Sequence, residues 1–163
     1  MDRRTVMAGL LVGASAGAQA AAQDDSQPAR RLAEQFAATL SGHDIDAFAA
    51  LFSESYVNHQ MSAAAPAPAP GTTPKHGTVS FFAGRLKGIP DLSVAIEAMV
   101  AGEDKVAASF VYTGTHQGVY LGVPPTGKML RFTSCDIFRV SDGLIIEHWG
   151  MGDIAGILAQ MKG

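Results

Sequence analysis

Apolar residues in the first half of the chain recur every three or four positions, whereas in the second half they recur every second one. From Ala29 the residues Leu32, Ala33, Phe36, Ala37 and Leu40 follow the first rhythm, which predicts a helix with one apolar face. Gly42 ends it, and Asp44 is placed to cap a second, short helix carrying Ile45, Phe48, Ala49, Leu51 and Phe52. Residues 55–59 read as a brief strand or an extended exit from that helix. Val79, Phe82, Ala83 and Leu86 predict a third amphipathic helix, stopped by Gly88 and Pro90. Thereafter the period is two. Residues 92–100 and 106–115 read as strands around a Gly102-Glu103-Asp104-Lys105 turn. Residues 128–140 and 144–153 form a second hairpin, and 154–161 a closing helix. Helices gathered ahead of an antiparallel run predict an α+β domain in which they cover one face of a curved sheet.

The second hairpin carries the chemistry. Side chains alternate between faces of a strand, so Leu130, Phe132, Ser134, Asp136, Phe138 and Val140 share one side. If Ser141-Asp142-Gly143 is a three-residue loop with Gly143 left-handed, Val140 lies opposite Leu144 and Asp136 opposite His148. A two-residue loop puts Asp136 opposite Trp149 instead. In the first register a carboxylate and an imidazole stand among Leu130, Phe132, Phe138 and Ile146, like the polar tip of an apolar cavity. The other face then holds Cys135, Ile137, Ile145, Trp149 and Met151, apolar enough to need cover by a second copy of the chain, as a homodimer or larger assembly.

Composition sets bounds on this picture. The 163 residues include 47% hydrophobic and 17% charged side chains, which suits one packed domain. Arg3-Arg4, an apolar run over 6–18 and the small residues after it look like an export signal over residues 1–22. The paired arginines resemble a twin-arginine signal, an ordinary secretory signal being the alternative; either sends the protein to the periplasm or outside the cell. Removing Asp2, Arg3 and Arg4 takes the formal charge from −3 to −4. Without a basic run there is no electrostatic footprint for nucleic acid, and no second apolar run is long enough to hold the mature chain in a membrane. Cys135 is the only cysteine and reads as a small buried hydrophobe. Residues 23–29 read as a linker, 30–163 as the domain, and the Ala/Pro-rich 62–75 as a mobile loop within it, either a flap over a cavity mouth or a tolerated insertion.

Gly122-Val123-Pro124-Pro125-Thr126-Gly127-Lys128 nearly spells a phosphate-binding loop, but Met129 stands where a hydroxyl is needed. Two prolines also remove amide donors, and a strand follows rather than a helix. Nucleotide binding is therefore rejected. Taken whole, Gly114-Thr115-His116-x-Gly118 with Gly122-x-Pro124-Pro125-Thr126-Gly127-Lys128 resembles the signature of the SnoaL-like polyketide cyclase (ester cyclase) family, of the nuclear-transport-factor-2-like fold. Ile89-Pro90-Asp91-Leu92, Asp104-Lys105-Val106-Ala107, Phe138-Arg139-Val140 with Asp142-Gly143, and Glu147-His148-Trp149 extend the resemblance over about residues 30 to 163. It implies a cone of curved antiparallel sheet around an apolar pocket. It also implies intramolecular aldol closure driven by an aspartate two residues after the last strand's histidine. Here that position is Gly150.

Without that aspartate, Asp136 and His148 are the candidate acid–base pair, because a carboxylate and an imidazole in an apolar setting can trade protons near neutrality. The plainer alternatives are a carboxylate satisfied by a backbone amide or by Tyr112, and a satisfied core histidine. Tyr56, Asn58, His59 and His116 are candidate substrate-binding donors, with Phe132, Ser134 and Phe138 lining the pocket. For His116 the alternative is holding the loop 117–127 through backbone hydrogen bonds; for Tyr56, Asn58 and His59 it is loop capping. Asp153 reads as a helix N-cap, and Trp149 as a packing residue on the side away from His148. No histidine pair with a carboxylate has zinc spacing, so no metal or cofactor is expected. The functional expectation is cofactor-independent acid–base chemistry on a small apolar carbonyl or ester compound. The alternative is a non-catalytic protein binding a small hydrophobic ligand.

Overall fold

The computed structural model describes residues 26–60 and 69–163. The expected export signal at 1–22, part of the linker and much of the Ala/Pro-rich stretch lie outside the described residues. Nine elements follow in the order α1 (Gln27–Ser41), α2 (Ile45–Ala50), β1 (Phe52–Asn58), α3 (Pro74–Gly88), β2 (Ser93–Ala101), β3 (Lys105–Thr115), β4 (Met129–Ser141), β5 (Leu144–Gly152) and α4 (Ile154–Lys162). Their order is the one the hydrophobic rhythm predicts, but two boundaries move. Pro28 sits in the first turn of α1, where its fixed φ suits a helix start, so the expected linker is already helical from Gln27. Likewise Pro74 opens α3 and Thr73 caps it, accepting the His76 amide at 3.2 Å, so Pro74 and Lys75 belong to a helix and not to a loop.

The five strands form one curved sheet in the order β1-β5-β4-β3-β2. Four of them run antiparallel as expected; β1 adds at the edge parallel to β5, so the sheet is mixed. Helix α1 lies across it. Its Phe36 ring meets Phe48, Phe82, Phe110 and Phe138 at centroid distances of 5.0–5.4 Å, and these rings form the centre of the core. The end of α1 is pinned by Ser41, whose hydroxyl exchanges hydrogen bonds with the Val94 backbone on β2. Helix α4 docks where β5 stops. Asp153 caps it through the Gly156 amide, as the sequence predicts. The Gln160 amide then accepts from Arg131 N and donates to Arg131 O, both at 2.9 Å, continuing β4's ladder with a side chain.

The β4–β5 hairpin differs from the expected register. Asp142 and Gly143 both have positive φ, 51° and 75°, which makes a two-residue turn with Ser141 opposite Leu144 and Val140 opposite Ile145. A bulge then inserts Ile146, because the next pair is Arg139 with Glu147. Phe138 therefore faces His148, and Asp136 faces Gly150, in neither of the registers considered from sequence. The bulge also corrects the two faces: Ile145 is fully buried on the helix side, while Ile146 is only half-buried. Cys135 is exposed on the outer side with Ile137 and Met151, not buried.

Helix α3 is rotated relative to its apolar pattern. Its most buried side chains are Thr78, Phe82 and Arg85, with Val79 and Leu86 only partly covered. An arginine thus takes a core position.

The family-like loop motifs form a clasp between the end of α3 and the β3–β4 connection. Asp91 accepts the Thr115 amide at 2.6 Å and its hydroxyl at 2.7 Å. Gln117 and Gly118 both donate backbone N–H groups to Gly88 O at 2.9 Å. A Cβ on Gly114 would strike Ile89, and one on Gly118 would strike the Lys87 carbonyl, so glycine is needed at both for close approach.

Candidate functional site

Five of the nine candidate residues lie on one chain of polar contacts across the helix-facing side of the sheet. His148 Nε2 is 2.8 Å from Asp136 Oδ1, and these side chains are 3% and 6% exposed. His148 Nδ1 is 3.1 Å from Tyr56 Oη, which is 3.3 Å from Thr78 Oγ1; Asn58 Nδ2 donates to the same threonine at 3.2 Å. On the other side Ser134 Oγ lies 2.5 Å from Asp136 Oδ2 and 3.3 Å from Tyr112 Oη. Four strands and α3 supply these groups. The alternation of β4 sets Ser134 and Asp136 between Phe132 and Phe138, and the bulge in β5 turns His148 to the same side.

With Asp136 ionised it can only accept, so the proton on His148 sits at Nε2, and a neutral imidazole then accepts from the Tyr56 hydroxyl at Nδ1. The phenols stay protonated. Tyr56 is pushed up to about 12, chiefly by burial and further by the Asp136 charge, against the Thr78 hydrogen bond. Tyr112 is also raised, burial and Asp136 outweighing the pull of Arg85.

Gly150 is integral to this arrangement. It lies directly opposite Asp136, and a Cβ there would fall within contact distance of Asp136 Oδ1 and His148 Nε2. The carboxylate from β4 occupies the space into which a side chain from β5 would project.

Phe132 and Phe138 flank the pair as expected, Phe138 meeting the His148 ring at 5.2 Å. Two candidates lie elsewhere. His59 is on the outer side, stacked on Trp149 at 4.5 Å and bonded to Glu147 at 2.8 Å, within an ion-pair network with Arg139 and Asp104. His116 is fully buried in the clasp, its Nδ1 2.9 Å from Thr126 Oγ1, so its side chain holds a loop hydroxyl where a backbone group was expected. Among the described residues no side-chain hydrogen bond joins either histidine to the Asp136 chain, although the His59 backbone N–H donates to His148 O at 2.7 Å.

Sequence reasoning passed over Thr78 and Arg85, and had Tyr112 only as a direct partner of Asp136, which it reaches instead through Ser134. Arg85 is 4% exposed, with Phe81, Phe82, Tyr112 and Phe132 around it and its Nε–H donated to Tyr120 Oη at 2.9 Å. Burial works against its charge, but the tyrosines and Asp136 more than offset this and raise it above its ordinary value. The signal was available: Thr78, Phe82 and Arg85 are spaced four and three apart, one helix face.

A curved sheet closed on one side by helices, with polar groups gathered on that side, is the nuclear-transport-factor-2-like cone. Residues 30–161 match the SnoaL-like polyketide cyclase family, and the chain belongs to it. Among solved structures it is similar to IdmH from Streptomyces antibioticus, described as a candidate polyketide cyclase. The two share 29% identity over 84% of this chain and 99% of that one, at a TM-score of 0.71. It is similar also to AclR from Streptomyces galilaeus, described as a candidate hydroxylase, at 26% identity, 84% and 82% coverage and a TM-score of 0.71. A SnoaL-like protein from Jannaschia sp. CCS1 shares the fold at 19% identity, 86% and 96% coverage and a TM-score of 0.70. No curated protein matches the chain.

Proposed function

We propose that this chain performs cofactor-independent acid–base chemistry on a small apolar carbonyl or ester compound, with Asp136 and His148 as the proton-transferring pair. Asp136 takes a proton from carbon beside the carbonyl, and the resulting enolate oxygen receives a hydrogen bond from the neighbouring Tyr112 phenol. His148 holds the carboxylate in position through its Nε2–H. The reading rests on the 2.8 Å Asp136–His148 contact among aromatic rings. The membership of the family supports it, with Asp136 standing in for a carboxylate on residue 150. Exchange of carbon-bound hydrogen tests it: a panel of apolar ketones, ketoesters and 1,3-dicarbonyl compounds is incubated with the protein in D2O and followed by NMR. The parent accelerates exchange in at least one compound and Asp136→Asn does not; equal rates refute the assignment.

One observation favours a second reading. Both Asp136 oxygens and both His148 nitrogens are already engaged by protein groups, as suits a pocket that binds without reacting. Native mass spectrometry discriminates, since a retained, unaltered lipophile points to binding. The exported location and the homodimer are proposals of the same standing. The first rests on the Arg3-Arg4 start and is checked by cell fractionation. The second rests on exposed Ile137 and Met151 on the outer sheet face and is checked by sedimentation.

A further inference from the structure

A neutral His148 ring has two tautomers, and a proton on Nδ1 in place of Nε2 would leave a bare nitrogen facing Asp136. Contact with Asp136 favours Nε2–H from one end of the polar chain. The other end is tied at Asn58, where donor and acceptor roles are fixed. Asn58 Oδ1 accepts the Gln60 backbone N–H at 2.9 Å, and a backbone N–H can only donate. The amide is thereby oriented, so the group it turns to Thr78 Oγ1, 3.2 Å away, is the donor Nδ2.

That orientation passes along the chain one proton at a time. Thr78 Oγ1 accepts from Asn58, and its own proton has Tyr56 Oη, 3.3 Å away, as its acceptor among the described residues. Tyr56 Oη accepts from Thr78, and its single proton goes to His148 Nδ1 at 3.1 Å. His148 then carries its proton on Nε2 and donates to Asp136 Oδ1 at 2.8 Å. In this direction every donor has an acceptor. In the reverse direction the Thr78 proton has none, and Thr78 is 6% exposed, where a lost hydrogen bond is costly. The Thr78 bond also pulls the Tyr56 phenol down against burial, as a donor to its oxygen does.

We propose that Asn58 is a positioning residue for the acid–base pair: an exposed amide at the end of β1 that sets the direction of the hydrogen bonds and so holds His148 as the tautomer that donates to Asp136. It acts through Thr78 and Tyr56 and touches neither member of the pair. Its part in the reaction rests on the reading of Asp136 and His148 as the proton-transferring groups. A ring with protons on both nitrogens would make Asp136 a weaker base, so the direction of the chain bears on the chemistry.

Asn58→Asp is the test, because it keeps the shape and the Gln60 bond and puts an acceptor where the donor stood. Residue 58 is exposed and the two side chains are isosteric, so folding is not put at risk. Thr78 then donates to residue 58, Tyr56 donates to Thr78, and His148 Nδ1 becomes a donor to Tyr56 Oη. Nitrogen NMR of the imidazole in the full chain, without substrate, follows this from about pH 5 to 8. In the parent the neutral ring has Nδ1 bare and Nε2 protonated. In Asn58→Asp the pH at which Nδ1 takes its proton rises by about one unit or more, the worth of one hydrogen bond. The titratable groups around the ring, Asp136 of β4, Tyr56 of β1 and, beyond Asp136, Arg85 of α3, are the same in every variant. A new charge at residue 58 would also act through space, so Thr78→Val is added to Asn58→Asp, cutting the chain and keeping the charge. The double variant loses most of the rise. A protonated Nδ1 on the neutral parent ring, no rise in Asn58→Asp, or a rise that persists with Thr78→Val overturns the proposal. These signals need no turnover, so they stand apart from the D2O exchange that tests the acid–base reading.

Discussion

Gly150 offers the sharpest test of how the site is assembled. Replacing it with alanine adds one methyl group, which must occupy the position now held by Asp136 Oδ1 and His148 Nε2. The 2.8 Å contact breaks. Asp136 keeps Ser134 and His148 keeps Tyr56, so the loss is one charge-assisted hydrogen bond plus the cost of leaving two nearly buried groups short of a partner. That amounts to about 2–4 kcal/mol. For a domain of this size each kcal/mol moves the melting temperature by roughly 3–5 °C, so Gly150→Ala should melt about 6–20 °C lower, followed by circular dichroism. The more telling experiment returns the carboxylate to β5. Residues 136 and 150 face one another, so Asp136→Gly combined with Gly150→Asp places the acid beside His148 from the opposite strand. The double variant should recover roughly half or more of what the single changes lose, a coupling of about 1–2 kcal/mol. A melting point lowered by under about 2 °C in Gly150→Ala, or additive losses in the double variant, would refute the idea that one volume serves both positions.

The clasp should be equally intolerant at Gly118. A Cβ there meets the Lys87 carbonyl, which belongs to backbone and cannot swing aside, so Gly118→Ala should cost about 2–4 kcal/mol in urea unfolding. Asp91 is held below the usual carboxylate range by the Thr115 amide and hydroxyl. A depressed folded value adds stability above the unfolded value, lost as pH falls through the folded one; parent and Asp91→Ala should differ near neutrality and converge in strong acid. The reverse sign holds for Tyr56, pushed up to about 12 by burial. Its contribution is present below the ordinary tyrosine value and fades as pH rises from about 10 towards 12, so tyrosinate absorbance should appear with, and not before, alkaline unfolding.

Element types were legible because the rhythms that specify them are local: Leu32 to Leu40 repeats as a helix must, and residues 106–115 alternate as a strand must. The polar pair was legible for the same reason, since Asp136 and His148 each stand out among apolar neighbours. Their register was not. A two-residue turn followed by a bulge leaves them on one face, diagonal instead of opposed, and nothing in Leu144-Ile145-Ile146-Glu147 announces which residue is the extra one. Arg85 escaped because the apolar positions Val79, Phe82, Ala83 and Leu86 alone set the expected face of α3, whereas aromatic rings from three elements enclose the guanidinium. His59 was carried along by its neighbours Tyr56 and Asn58, but the strand β1 they belong to sends alternate side chains to opposite faces. The motifs between Gly114 and Lys128, in turn, lie in the clasp and not on the Asp136–His148 chain, so their clarity in sequence reports the fold more than the reaction.

The extra residue in β5 has a consequence for this chain as a scaffold. Were Ile146 to pair with Arg139 instead of bulging, the unbroken two-residue hairpin would carry Glu147 and Trp149 inward and send the imidazole to the outside. One inserted peptide unit thus acts as a phase setting for everything downstream, through Gly150 to the start of α4. Smoothing out that bulge would trade a proton carrier for an indole without altering a single side chain.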